Sequence, residues 1–291
     1  MRKNFLGPRA ALLAAWFSVV SLNGQTVPPA EGISTNRPAR GGFTMAAPDQ
    51  PAPRTDANSQ QAHLELLEKA RQGGIDVYFV GDSITRRWGT SDVQYRDFLA
   101  NWTTNFFGWN AGNFGWGADL TQHILWRLSH GELDGVNPKV IVVLAGANNV
   151  GSLPAGDETV AAVTRGIQAI VELCRSKAPG ARIILTAIFP RNDHMEMMPT
   201  INRINQNLAK WADGATVRFL NVNDKLADGE GRLFPGMMNA RDKLHPALPG
   251  YQMWADGLKP ILTEWLGPPA KTDHAPPPTG DPSARKTEPG K

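Results

Sequence analysis

Four residue types in this chain stand where their side chains could do chemistry together: a serine, a histidine, an aspartate and an asparagine. Ser83 lies in Gly81-Asp82-Ser83, directly after the β-branched and aromatic run of residues 75–80. A hydroxyl just past the carboxyl end of a buried strand sits where open α/β sheets place their reacting groups. A serine there becomes a nucleophile once a base takes its proton, although Gly-Asp-Ser also suits a plain helix N-cap. The base is offered by Asp242-Lys243-Leu244-His245-Pro246. A spacing of three places the carboxylate and the imidazole on one side of a single turn, where the acid can hold the ring tautomer and stabilise its protonated form. Among the six histidines, His245 has both this acid and a proline to shape the turn. His194, in Arg191-Asn192-Asp193-His194, is the competitor; His63, His123 and His130 lie on or beside helical patterns, and His274 falls in the tail.

Acyl transfer also needs donors for a developing oxyanion. Asn113-Phe114-Gly115-Trp116-Gly117-Ala118-Asp119-Leu120-Thr121 carries glycines between an expected strand and helix, so its backbone can turn tightly and expose amides, the Ala118 amide among them. Asn148, in Ala145-Gly146-Ala147-Asn148-Asn149, can donate through its side chain without bringing a charge. A Gly-rich loop without a role and an Asx turn are the plain alternatives. Trp88, Trp116 and Arg191 are candidate substrate contacts, the tryptophans as sugar platforms, acyl-pocket walls or simply core. No His-x-x-x-His pair or cysteine cluster offers metal-ligand spacing, and no cofactor is expected.

Elements able to position these residues alternate along the chain. Apolar runs of strand length are expected at 75–80, ending near 113, at 140–144, 182–188 and 217–222. Helical periodicity is expected at 58–71, 92–100, 119–128, 156–177, 200–211 and 251–265. Repeated β-then-α order with continuous apolar strands implies an α/β fold, a parallel sheet covered on both faces. The lone cysteine, Cys174, falls on the apolar face of the 156–177 helix and excludes an internal disulfide.

The chain has 291 residues, a net charge of +3 and 41% hydrophobic residues, enough for a core. Residues 57–266 hold 20 basic and 21 acidic side chains, so the excess sits at the ends, in Arg2, Lys3 and Arg9. No nucleic-acid face is therefore expected. Arg2 and Lys3 precede an apolar run over 10–20, the layout of a signal peptide spanning 1–24 with cleavage near Gly24. The expected location is periplasmic or extracellular, with no stable membrane insertion after processing; an uncleaved anchor is the rival. Residues 25–56 read as a disordered linker, 57–266 as the domain and 267–291 as a disordered Pro-rich tail.

The four stretches resemble the four blocks of the SGNH (Gly-Asp-Ser-Leu type) hydrolases, most closely the subgroup around the platelet-activating-factor acetylhydrolase catalytic subunits. Asn113-Phe114-Gly115, Ile124-Leu125-Trp126-Arg127-Leu128, Gly131-Glu132-Leu133 and Pro138-Lys139-Val140-Ile141-Val142-Val143 extend the similarity. The resemblance implies a three-layer α/β/α, flavodoxin-like sandwich on a five-stranded parallel sheet. It implies Ser83 as nucleophile, His245 as base, Asp242 as its partner, and an oxyanion hole from the Ser83 amide, the Ala118 amide and the Asn148 side chain. Ile84 replaces the leucine of the name, and Ala118 stands where the family has glycine, so its methyl group is expected to narrow the site or demand φ < 0. The expected activity is an exported serine esterase acting on short-chain, foremost acetyl, esters of a carbohydrate or other small molecule. A lipid-like acetyl ester is the next choice; an acyltransferase and a catalytically dead binding protein are the remaining readings. Members of the subgroup often pair, so a homodimer is among the expected partners.

Overall fold

The computed structural model describes residues 45–287. The expected leader at 1–24, the linker as far as 44 and the last four residues lie outside the described residues. In chain order the elements are α1 (Ala57–Gln72), β1 (Val77–Gly81), α2 (Ser83–Trp88), α3 (Arg96–Phe106), β2 (Ala111–Gly115), α4 (Thr121–Arg127) and β3 (Val140–Leu144). Then come α5 (Ala147–Ser152), α6 (Asp157–Lys177), β4 (Arg182–Thr186), α7 (Met198–Ala209), β5 (Val217–Leu220) and α8 (Leu248–Leu266). The five strands form one parallel sheet in the order β2-β1-β3-β4-β5. The chain leaves β1 for β2 on one side and returns to place β3 on the other. Their carboxyl ends thus border a topological switch point, the crevice where open α/β sheets bind ligands.

Helices cover both faces, α3 against α8 on one and α4, α6 and α7 in succession on the other. Along β1 the side chains alternate between them, as a strand's period of two requires. Phe79 packs on Trp102 and Phe106 of α3 and Trp254 of α8. Tyr78 turns the other way, stacks on Phe114 and donates its hydroxyl to the Glu132 carbonyl. Cys174 is fully buried on α6, and burial pushes its thiol up to about 12. No helix among the described residues is long and apolar enough to cross a membrane.

Two short helices, α2 and α5, stand where the sequence shows only turns; at six residues each they are too short for an apolar period to mark them. Helix α3 begins at Arg96 rather than 92, because the turn over Val93–Tyr95 that leads into it is wound as a tighter 3-10 helix.

Within the segments expected to be disordered, the described residues, 45–56 and 267–287, are a larger correction. Residues 267–287 run across the β2 edge of the sheet. Ala270 N donates to Gly108 O at 2.9 Å, and the Asp273 carboxylate accepts the Gly108 amide at 2.7 Å. Thr279 O accepts Ser91 N and Thr90 Oγ1 at 3.2 and 3.1 Å. The loops after α2 and α3 carry backbone groups that need partners. A Pro-rich segment, which loses little chain entropy on ordering, supplies them; composition alone shows only its lack of periodicity. Before α1, Pro48 O accepts Thr121 Oγ1 at 2.7 Å, and Ala52 N donates to Gln122 O at 3.0 Å. With each such bond worth about 1 kcal/mol net, a chain ending at Gly267 should melt at least about 4 °C lower. An unchanged midpoint in a calorimetric scan would show that the strap adds no stability.

Candidate active site

Strands β1, β2 and β3 end at one level, Gly81 opposite both Gly115 and Leu144. The loops carrying Ser83, Ala118 and Asn148 therefore start side by side. Two glycines bring α2 onto this rim: a Cβ on Gly81 would lie 2.3 Å from Thr85 Oγ1, and one on Gly115 would lie 2.5 Å from Arg86 N. Asp82 caps α2, its Oδ1 accepting Ile84 N at 2.9 Å, and Ser83 is the first helical residue. The N-cap and nucleophile readings of Gly-Asp-Ser are thus compatible. Burial, reinforced by Asp119 and opposed by the Ile84 amide, raises the Asp82 carboxyl to about 7.

The Ser83 hydroxyl lies 2.8 Å from His245 Nε2, and His245 Nδ1 lies 2.9 Å from Asp242 Oδ2. The other Asp242 oxygen accepts the His245 and Leu244 amides at 3.0 and 3.1 Å. Lys243, at φ +49°, bends the turn, and its carbonyl accepts Asn192 N at 3.0 Å. Burial works against ionisation of Asp242, but the two amides and the imidazole outweigh it and hold the group at about 2. Burial, joined by the Arg87 charge, lowers the His245 pKa, and Asp242 only partly offsets this. The carboxylate is charged and the imidazole neutral near pH 7, the states a general base and its partner require. His194 instead pairs with Glu196 at 3.0 Å on an exposed stretch.

Asn148 sits in α5 and donates Nδ2 to Asp119 O at 2.9 Å, leaving its second amide hydrogen for another acceptor. Ala118 has φ +60°, so the expectation that its methyl group demands a negative φ is wrong. The residue is held in the left-handed region by bonds on both sides. The Asp119 carboxylate accepts Arg127 Nε at 2.7 Å, and Gly117 O accepts Arg54 Nη1 at 3.0 Å. Arg127 is itself buried, pairs with Glu132 and donates to Phe114 O at 3.1 Å; Glu132 in turn holds His63 at 2.7 Å.

The three expected substrate contacts are not where substrate could meet them. Trp88 is fully buried and stacks on Tyr251 and Trp254, with Nε1 donating to Asn101 at 2.9 Å. Trp116 is buried, its Nε1 donating to Ser59 at 2.8 Å. Arg191 is buried, clamped by Asp193 at 2.8 and 2.5 Å, and its third nitrogen donates to Ala147 O at 2.7 Å. Large rings fill the core beside α2, and a guanidinium bonded three times over supports the Asn148 loop rather than a ligand.

Beside the Ser83–His245–Asp242 chain stands a residue that no motif in the sequence marks. Arg87 lies one helical turn after Ser83, and its Nη1 meets Asp242 Oδ2 at 3.2 Å. The i, i+4 relation was legible only if residues 83–88 were known to be helical.

The GDSL-like Lipase/Acylhydrolase family model matches residues 79–253. The chain is 32% identical over 213 residues to the platelet-activating factor acetylhydrolase IB subunit alpha1 of Homo sapiens, covering 72% of this chain and 85% of the relative. It is 33% identical over 206 residues to subunit alpha2 of Rattus norvegicus, covering 70% and 83%. A GDSL-like lipase structure from Bacteroides thetaiotaomicron superposes with a TM-score of 0.55 at 21% identity, covering 70% of this chain and 98% of that one. The chain belongs to the GDSL/SGNH hydrolases and lies close to the platelet-activating-factor acetylhydrolase subgroup. It is a serine hydrolase acting on small ester substrates.

Because the Arg87 charge lowers the His245 pKa, Arg87→Met should move the imidazole titration to higher pH. NMR of the ring protons reads this directly, and an unmoved titration would mean that the contact does not act on His245.

Proposed function

We propose that the chain is an acetyl ester hydrolase in which Ser83 is the nucleophile, His245 the general base and Asp242 its orienting acid. Ser83 Oγ attacks the ester carbonyl carbon as its proton passes to His245 Nε2. The tetrahedral intermediate collapses, the acyl–oxygen bond breaks, and the alcohol leaves with that proton. Water then attacks the acyl-serine with His245 again as base, releasing the acid and restoring Ser83. The carbonyl oxygen is received by the amides of Ser83 and Ala118 and by the free hydrogen of Asn148 Nδ2. The observation that carries this reading is the continuous Ser83–His245–Asp242 chain, at 2.8 and 2.9 Å, on the rim of the switch point.

The support for a substrate favours a lipid-like acetyl ester over the acetylated carbohydrate that the sequence put first. The human and rat relatives, at 32% and 33% identity, are named as platelet-activating factor acetylhydrolase subunits. The carbohydrate reading leaned on Trp88 and Trp116 as sugar platforms, and both rings are buried. Export through the leader at 1–24 remains part of the proposal, supported by its charge and apolar pattern.

Ser83→Ala should lower kcat by at least about 10³-fold with the circular dichroism spectrum unchanged. Asn148→Ala should lower it by about 10²–10³-fold. A Ser83→Ala enzyme that kept the parental rate on p-nitrophenyl acetate would overturn the assignment. In a p-nitrophenyl ester series kcat/KM should be highest for acetate and fall with chain length; a maximum at long acyl chains would contradict the acetyl reading.

A further inference from the structure

The donors proposed for the oxyanion differ in what holds them. The Ser83 amide is fixed by α2 and the Asn148 side chain by its bond to Asp119 O. The Ala118 amide belongs to the Gly117–Ala118 peptide, which lies in a loop between β2 and α4 and ends on a left-handed alanine. For an L-residue that conformation is sterically unfavourable, so the loop stays in it only if its surroundings over-determine it. In a trans peptide the C=O of one residue and the N–H of the next point in opposite directions. Whatever grips the Gly117 carbonyl therefore sets the aim of the Ala118 N–H.

The group that grips it is Arg54. Its Nη1 donates to Gly117 O at 3.0 Å and lies 3.5 Å from Asp119 Oδ1. Its Nε and Nη2 lie 3.1 and 2.9 Å from Asp56 Oδ2. Asp56 in turn caps α1, its other oxygen accepting Ser59 N at 2.8 Å. The guanidinium is thus anchored on a helix start at one side and pulls on the hole peptide at the other. A charge-assisted bond to that carbonyl is worth roughly twice a neutral one. Rotating the peptide to turn the Ala118 N–H away would break it. Arg54 stands well ahead of the family match at 79–253, in the stretch read from sequence as linker.

We propose that Arg54 is a positioning residue of the active site, holding the Gly117–Ala118 peptide so that the Ala118 amide faces the developing oxyanion. This rests on the hydrolase mechanism above and adds to it a segment outside the family's matched region. Only interactions stronger in the transition state than in the ground state raise kcat, so losing Arg54 should appear in kcat rather than KM.

The test compares the full chain with Arg54→Met, which keeps an apolar stem, and with Arg54→Lys, which restores a single cationic donor. On p-nitrophenyl acetate Arg54→Met should lose about tenfold in kcat, less than the complete removal of a hole donor, with KM within about twofold. Arg54→Lys should recover part of the loss. A methyl trifluoromethyl ketone, which adds to an active serine and leaves its oxygen in the hole, should bind Arg54→Met weaker by the same factor as the loss in kcat/KM. Parental kcat and parental ketone affinity in Arg54→Met would overturn the inference, as would a loss confined to KM or one matched only by a lower melting temperature. If Ser83→Ala silences the enzyme while Arg54→Met does not, this inference alone fails. If Ser83→Ala stays active, the underlying mechanism fails.

Discussion

The close approach of α2 to the strand ends is the constraint on which the site depends. The helix begins at Ser83 with no connecting loop, and at Gly81 and Gly115 there is no room for even one methyl group. A side chain at either place would push the helix off the rim and take Ser83 away from His245. The aromatic layer beneath then fixes the far end of α2, with Trp88 wedged between Tyr251 and Trp254. Tyr251 also donates its hydroxyl to Ile84 O at 2.8 Å. Packing below and absent side chains above hold one hydroxyl at a set height over the sheet.

Around that hydroxyl, charge is arranged in separate compartments. Asp242, Arg87 and His245 form one group, in which the amides of the Asp242–His245 turn keep the acid ionised. Asp119, Arg127, Glu132 and His63 form another, beneath the loop between β2 and α4. A buried ion pair contributes little net stability and chiefly fixes geometry when all its members are satisfied. Here that geometry is the path of the backbone through Ala118. The first group meets the Ser83 hydroxyl through an imidazole, and the second bears on the backbone of the loop between β2 and α4.

Much of this was legible in the sequence, and the reasons for the rest are physical. The five strands could be read because a parallel sheet covered on both faces needs unbroken apolar runs, which residues 140–144 show most clearly. Ser83, Asn148 and the Asp242–His245 pair stood out because each follows a strand or lies in a turn with its own spacing rule. Trp88 and Trp116 were misleading, since nearness in sequence to a nucleophile does not say which face of a helix or loop a ring takes. Arg87 and Arg54 were hidden for a related reason. Each acts across a contact between segments, 155 and 63 residues apart in sequence. Composition failed at both ends of the domain because a segment that cannot build a core can still be held by one already built.

The most direct measurement of the central claim is covalent trapping. Treated with a small organophosphonate, the enzyme should lose activity in step with the addition of one phosphonyl group per chain, and peptide mass spectrometry should place that group on Ser83. Inactivation with the adduct on another residue, or full activity surviving stoichiometric modification of Ser83, would contradict it.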